Sequence, residues 1–208
     1  MSCGAPNRAN IPTALTTAVA AALHRRATAV AQAAVEARPF AANPDDIQAV
    51  NIQVSHSAIK IMADGPDKWR PQTHETADHS IPYSAGVVLM YGRIEPEHYE
   101  DPYLHDPRLL ELVSRIKCQP SDEADKRENE FNLCELEIVL KSGARKTVRV
   151  EYHRGHFKNP MTDAEMEEKF RLMAQKHLPA DRVDALLRLL WGLENVPQVS
   201  TLIAATRA

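Results

Sequence analysis

The segment from Lys68 to Tyr83 holds the side chains of this sequence that are best suited to proton transfer and anion binding. It contains two cations, two acids, two histidines and a tyrosine within sixteen residues. His79 and Tyr83 lie four residues apart, so they would share one face of a helix and could act together in acid–base catalysis. Arg70 could bind a carboxylate through two parallel hydrogen bonds. We predict His79 and Tyr83 as catalytic residues, and Arg70 and Ser80 as substrate-binding residues.

An apolar run, Ser84–Tyr91, follows this segment and predicts a buried helix. Asp78 or Ser80 could cap the helix. Pro82 suits its first turn, and Gly92 marks its end. A helix start attracts anions through its free N–H groups and its dipole, which suits chemistry on a small polycarboxylic acid. Capping without any chemistry is the alternative explanation of the same polar residues.

Two groups of residues have the side chains of metal ligands, but neither has the spacing of a known zinc signature. A capping role would also occupy the carboxylate of Asp78. We therefore predict no metal site in either group. The groups are His74, Glu75, Asp78 and His79, and His153 with His156.

Alternating apolar residues predict an α+β fold. Val50–Val54 alternates as one strand, and Leu136–Tyr152 alternates on both sides of a Ser-Gly turn as a hairpin. Together they predict an antiparallel sheet of three to four strands with one buried face. Apolar stripes over Met166–Met173 and Val183–Leu190 predict the helices that cover this sheet. A further helix begins at Pro107 and is predicted to carry Ile116 on its apolar face.

Composition excludes several classes of protein. The chain has 208 residues, 44% apolar and 25% charged residues, and a net charge of -3. It is therefore ordinary for a globular domain and gives no reason to expect a nucleic acid or a membrane as partner. Cys3, Cys118 and Cys134 are odd in number and widely spaced, which predicts free thiols and a cytoplasmic location.

Residues 1–31 differ from the rest because they contain no acidic residue and are rich in alanine and threonine. Ala29–Ala31 resembles a cleavage site, so a secretory or transit peptide is one explanation. An alanine-rich helix or a loose tail is the other. We predict a boundary that separates this segment from a domain over residues 32–208.

Two long motifs resemble the MmgE/PrpD family, the 2-methylcitrate dehydratase superfamily. Pro71–Tyr83 reads PxTxETADHSxPY and resembles the signature segment of the family. Gly155–Asp163 reads GHFKNPMTD and resembles a second family block downstream. The resemblance covers Gln32–Leu202 and corresponds to the C-terminal lid domain only; the large helical domain of the family has no counterpart in this sequence.

The resemblance implies an activity and a set of roles. Family members act on small di- and tricarboxylates, without a metal or organic cofactor, by abstracting a proton next to a carboxylate. Tyr83 matches the active-site tyrosine of the family, and His79 is its neighbour for proton relay. The family also carries a lysine and a histidine just upstream, where this sequence has Leu23–Arg26 and Val30.

That departure leaves two hypotheses open. In the first, the chain is a 2-methylcitrate dehydratase-like lyase domain that is incomplete without the helical domain. In the second, it is a non-catalytic lid domain, retained as a pseudo-enzyme or as a partner subunit. The expected protein partner is a second copy in a homodimer or a separately encoded helical domain.

Overall fold

The computed structural model of the chain describes residues 25–128, 130 and 132–207. Most of the predicted N-terminal segment, and any targeting peptide within it, lies outside these residues. The chain divides into two compact units, the first ending at Pro160 and the second beginning at Met161.

The first unit contains a four-stranded sheet and the helices that pack around it. Its elements are α1 Arg25–Ala37, β1 Ile47–Val54, α2 His56–Met62, α3 His74–Asp78, α4 Ile81–Tyr91, α5 Pro107–Ser114, β2 Ile116–Pro120, α6 Asp122–Lys126, β3 Cys134–Leu140 and β4 Arg145–Val150.

The strands follow the order β2-β1-β3-β4. The β1/β3 and β3/β4 pairs are antiparallel, whereas β1 and β2 are parallel. This confirms the α+β fold and the hairpin, but the sheet is mixed rather than wholly antiparallel. The sequence predicted Ile116 on the preceding helix, and that prediction is wrong. Ile116 lies in the edge strand β2. Alternation could not reveal this strand, because β2 is short and buries Ile116 alone among its five residues.

Helices α1 and α4 share the hydrophobic core with the sheet. The sequence assigned this covering role to Met166–Met173 and Val183–Leu190, but both ranges belong to the second unit, which has a core of its own. Alanine dominates the buried face of α1, and its small side chain allows a helix to lie close to a sheet. The helix begins at Arg25, so residues 25–31 form part of the folded domain.

Every residue of α4 from Ile81 to Leu89 is buried. The predicted helix, with Ser80 as its N-cap and Gly92 just after its end, is confirmed. Gly92 has a φ of 83°, a left-handed conformation that glycine adopts without steric cost. Gly86 brings α4 close to α5, since a Cβ there would lie 2.5 Å from a methyl carbon of Val113.

The second unit is helical and has its own small core. Its helices are α7 Asp163–Ala174, α8 Ala180–Trp191 and α9 Val199–Ala205. Phe170 packs against this core, but Met166 and Met173 are exposed, so the predicted burial of the whole α7 stripe is wrong. Among the described residues, no helix of either unit is both long and apolar enough to span a membrane.

Gly86→Ala should lower the free energy of unfolding by about 1–3 kcal/mol, because the new methyl group overlaps Val113. Val113→Ala should remove the overlap, so the double variant should lose less stability than the sum of the two single variants. Urea denaturation of the four proteins measures this coupling. Gly192→Ala is the control, since its Cβ meets only the Arg188 carbonyl oxygen at 3.4 Å. Additive effects of Gly86→Ala and Val113→Ala would contradict the close approach.

Candidate active site

Trp69 fixes the chain ahead of the candidate residues. Its indole Nε1 donates a hydrogen bond of 2.8 Å to the carbonyl oxygen of Ile116, the first residue of β2. Thr73 then begins α3, because its hydroxyl accepts from the backbone N–H of Thr76. The segment is therefore attached to the edge of the sheet before it reaches His74.

Ser80 lies buried at the junction between α3 and α4. Its hydroxyl accepts from the backbone N–H of Tyr83 at 3.0 Å and donates to the carbonyl oxygen of Lys68. Both hydrogen bonds are internal, so Ser80 holds the start of α4 against the preceding loop. The substrate-binding role predicted for Ser80 has no exposed atom to support it in this arrangement.

Tyr83 is fully buried, with 0% of its surface exposed. Its hydroxyl donates to the carbonyl oxygen of His98 at 2.8 Å, and burial raises the pKa of this hydroxyl well above its usual range. The prediction that Tyr83 and His79 share one face of a helix is wrong. His79 ends α3, whereas Tyr83 lies inside the first turn of α4 and points into the core. Its catalytic role stays a prediction.

His98 supports Tyr83 from the Pro96–Tyr99 turn and was missed by sequence reasoning. Its Nδ1 accepts a hydrogen bond of 2.9 Å from the backbone N–H of Glu95, which closes that turn. Burial lowers the pKa of His98, so its imidazole stays neutral. Its ring also stacks on Tyr91 at 5.0 Å between centroids.

His79 is the candidate catalytic residue that reaches the surface, with 35% of its side chain exposed. Its Nδ1 lies 2.5 Å from Oδ1 of Asp78 and 3.1 Å from the carbonyl oxygen of Glu75. Both neighbours are acceptors, so Nδ1 carries a proton and Nε2 is the basic nitrogen of the neutral ring. Sequence reasoning predicted His79 as catalytic but considered Asp78 only as a helix cap or a metal ligand, so it missed this pair.

His74 forms a second histidine–carboxylate pair at the other end of α3. Its Nδ1 lies 2.7 Å from Oε1 of Glu100, which follows the Pro96–Tyr99 turn. Twenty-six residues separate the two partners, so sequence spacing alone could not reveal the pair.

Arg70 is exposed, and its guanidinium makes no hydrogen bond or ion pair within the part of the chain that the structure describes. No hydrogen bond joins it to His79 there. The structure therefore joins Asp78 to His79, and Ser80 to Tyr83, by hydrogen bonds. The guanidinium of Arg70 forms no hydrogen bond with any of these four residues. The cavity of about 410 Å³ at Pro102–Pro107 is lined by none of the four predicted site residues.

Comparison with known proteins supports a family relationship. Residues 21–194 match the model of the MmgE/PrpD C-terminal domain. Human cis-aconitate decarboxylase is 32% identical over 135 residues, which cover 64% of this chain and 27% of that protein.

Bacterial and fungal dehydratases match over a similar region. The 2-methylcitrate dehydratase of Escherichia coli K12 is 28% identical over 151 residues, which cover 69% of this chain and 30% of that protein. The mitochondrial 2-methylcitrate dehydratase of Yarrowia lipolytica is 26% identical over 159 residues, 73% of this chain and 30% of that protein. The chain thus spans less than a third of the length of these three relatives.

Ser80→Ala should lower the free energy of unfolding by up to about 2 kcal/mol, because α4 loses its cap and the Lys68 carbonyl loses its donor. Thr73→Ala is the matched control, since Thr73 caps α3 at an exposed position and its loss should cost about 0.5–1 kcal/mol. Urea denaturation compares the two variants. An equal loss in both would contradict the special role of the buried hydroxyl.

Proposed function

The chain belongs to the MmgE/PrpD family, and from that membership we propose that it is the C-terminal domain of a lyase for small di- or tricarboxylates. The names of its relatives specify cis-aconitate and 2-methylcitrate, and both compounds are tricarboxylates. Dehydration and decarboxylation of such compounds both require a proton to move at a carbon close to a carboxylate. The proposal therefore needs an acid–base group on a surface that a polycarboxylate can reach.

The Asp78–His79 pair is the observation that carries this proposal. Because Nδ1 of His79 is held by Asp78, Nε2 is the atom that would accept a proton from substrate carbon. The carboxylate of Asp78 would then stabilise the imidazolium that forms. A positioned acid–base group of this kind contributes about 10²- to 10⁴-fold to a rate.

Arg70 is the group that we assign to a substrate carboxylate. Its guanidinium has no protein partner among the described residues, so binding an anion would break no existing ion pair. A planar guanidinium can hold a carboxylate through two parallel hydrogen bonds.

Ser80 and Tyr83 act as positioning residues in this proposal. A direct acid–base role for Tyr83 would require its hydroxyl to leave the carbonyl oxygen of His98. Its raised pKa also makes it a poor base near neutral pH. We therefore assign proton transfer to His79, and assign to Ser80 and Tyr83 the task of fixing the junction that presents it.

We further propose that full activity requires protein surface in addition to that of the described residues. About a third of the His79 side chain is in contact with solvent, where water weakens each electrostatic interaction. A helical domain or a second copy placed over α3 would exclude this water and supply further cations.

A non-catalytic role is the second candidate, and the burial of Tyr83 favours it. In that case the surface that presents His79 would bind no polycarboxylate, and the domain would serve only as a partner subunit. Binding experiments on the chain separate the two possibilities without requiring turnover.

The chain should bind 2-methylcitrate and cis-aconitate weakly, with amide chemical shift changes in NMR spectra centred on Asp78 and His79. Arg70→Gln should weaken this binding, because it removes the carboxylate partner. Arg93→Gln is the matched control, since Arg93 is similarly exposed but already pairs with Glu95. Tricarboxamide analogues without charge should not bind. Absence of shift changes with either acid would favour the non-catalytic role.

The purified chain should not dehydrate 2-methylcitrate at an enzyme-like rate, because His79 is open to water. The increase in ultraviolet absorbance as the carbon–carbon double bond forms measures the reaction. Rapid turnover by the chain alone would contradict the need for additional protein surface. If turnover is rapid, His79→Gln should lower kcat by about 10²-fold or more if His79 transfers the proton.

A further inference from the structure

The parallel edge of the sheet places two helix starts side by side. Strands β1 and β2 pair in register up to Val54 and Pro120, and the N–H of Ser121 donates to the carbonyl oxygen of Val54 at 2.8 Å. Each strand is followed at once by a serine cap and a helix. The first residues of α2 and α6, His56 and Asp122, therefore leave the sheet next to each other.

His56, Asp122 and Asp125 converge at this point. One potential ligand atom from each residue lies within 4.8 Å of those from the other two. Nδ1 of His56 lies 2.5 Å from Oδ2 of Asp125. The backbone N–H of His56 donates to the other oxygen, Oδ1, at 2.8 Å. That second bond fixes the Asp125 carboxylate, with Oδ2 turned towards the imidazole.

We propose that His56, Asp122 and Asp125 form a binding site for a divalent transition-metal ion such as Zn²⁺. The donor set is one imidazole nitrogen and two carboxylate oxygens, and the two carboxylates neutralise the charge of the ion. Zn²⁺ accepts all three donors, whereas Mg²⁺ and Ca²⁺ prefer oxygen ligands alone. Three protein ligands leave a fourth, tetrahedral position for water.

The distances can adapt to an ion. Ligand atoms around a tetrahedral Zn²⁺ at about 2.1 Å lie roughly 3.4 Å apart, so the imidazole and Asp125 must separate slightly while Asp122 moves inwards. The His56 side chain is 61% exposed, which allows its ring to turn. The Asp122 carboxylate makes no ion pair or hydrogen bond within the described residues, so its movement breaks no contact.

The ligand side chains already lie together without an ion. The Asp125 carboxylate is held by the backbone N–H and the ring of His56, and Asp122 begins the same helix. An ion would replace the direct contact between the imidazole and Asp125 and join the Asp122 carboxylate to the same centre.

The consequence of binding would be a cross-link between α2 and α6. These helices extend the two strands of the parallel edge, so the ion would stabilise that edge of the sheet. The site shares no residue with the His79 surface, and the proposal does not depend on the lyase activity.

Titration of the 208-residue chain with Zn²⁺ in a calorimeter tests the proposal. A Cys3→Ser background removes one thiol that could bind the ion, and Cys118 is a poor ligand because burial raises its pKa to about 12. We expect one equivalent of Zn²⁺ to bind, with a rise in Tm. Mg²⁺ at the same concentration should give neither effect.

Two variants and a control locate the site. His56→Ala and Asp122→Asn should each weaken Zn²⁺ binding at least about tenfold and abolish the rise in Tm. Asp122→Asn should leave the metal-free Tm unchanged, which separates loss of a ligand from loss of the fold. His105→Ala is the matched control, because His105 is similarly exposed and, among the described residues, its ring faces one carboxylate, that of Asp101 at 3.4 Å. Absence of Zn²⁺ binding, or equal binding by all variants, would overturn the proposal.

Discussion

Complete burial of the first nine residues of α4 is the constraint on which the first unit depends. A helix without a solvent-exposed face can place polar side chains only at its ends. Ser80 and Gly92 satisfy these ends, through a buried hydroxyl and a left-handed backbone. The surrounding elements follow from the same requirement, because α1, α5 and the sheet must each supply an apolar face to cover α4. Polar side chains can therefore reach the surface at the junction before α4.

The segment that resembles the family signature has a structural role. Trp69, Ser80 and Tyr83 each donate a hydrogen bond to a backbone carbonyl group, on β2, on the preceding loop and on the Pro96–Tyr99 turn. These three bonds hold α3 between the sheet and the turn. His79 is presented at the surface because its neighbours in sequence are fixed below it.

The charge around α3 shapes what the surface can bind. Asp78 and Glu75 lie near the ring of His79, and Glu100 lies near His74. A polycarboxylate would meet these three carboxylates, whose negative charge repels it. The carboxylates orient the imidazoles but oppose an anionic ligand. Because these carboxylates repel an anionic ligand, the proposed lyase would need cations from additional protein surface.

The sequence by itself determined the elements with strong local signals. Alternation predicted β1 and the hairpin, and a cap followed by an apolar run predicted α4, because periodicity and capping are local properties. Two motifs were also sufficient for the family. Tertiary structure alone decided which helices cover the sheet and that Tyr83 points into the core. It also paired His74 with Glu100 and His56 with Asp125 across 26 and 69 residues. Such contacts depend on where distant segments meet, and no local pattern records that.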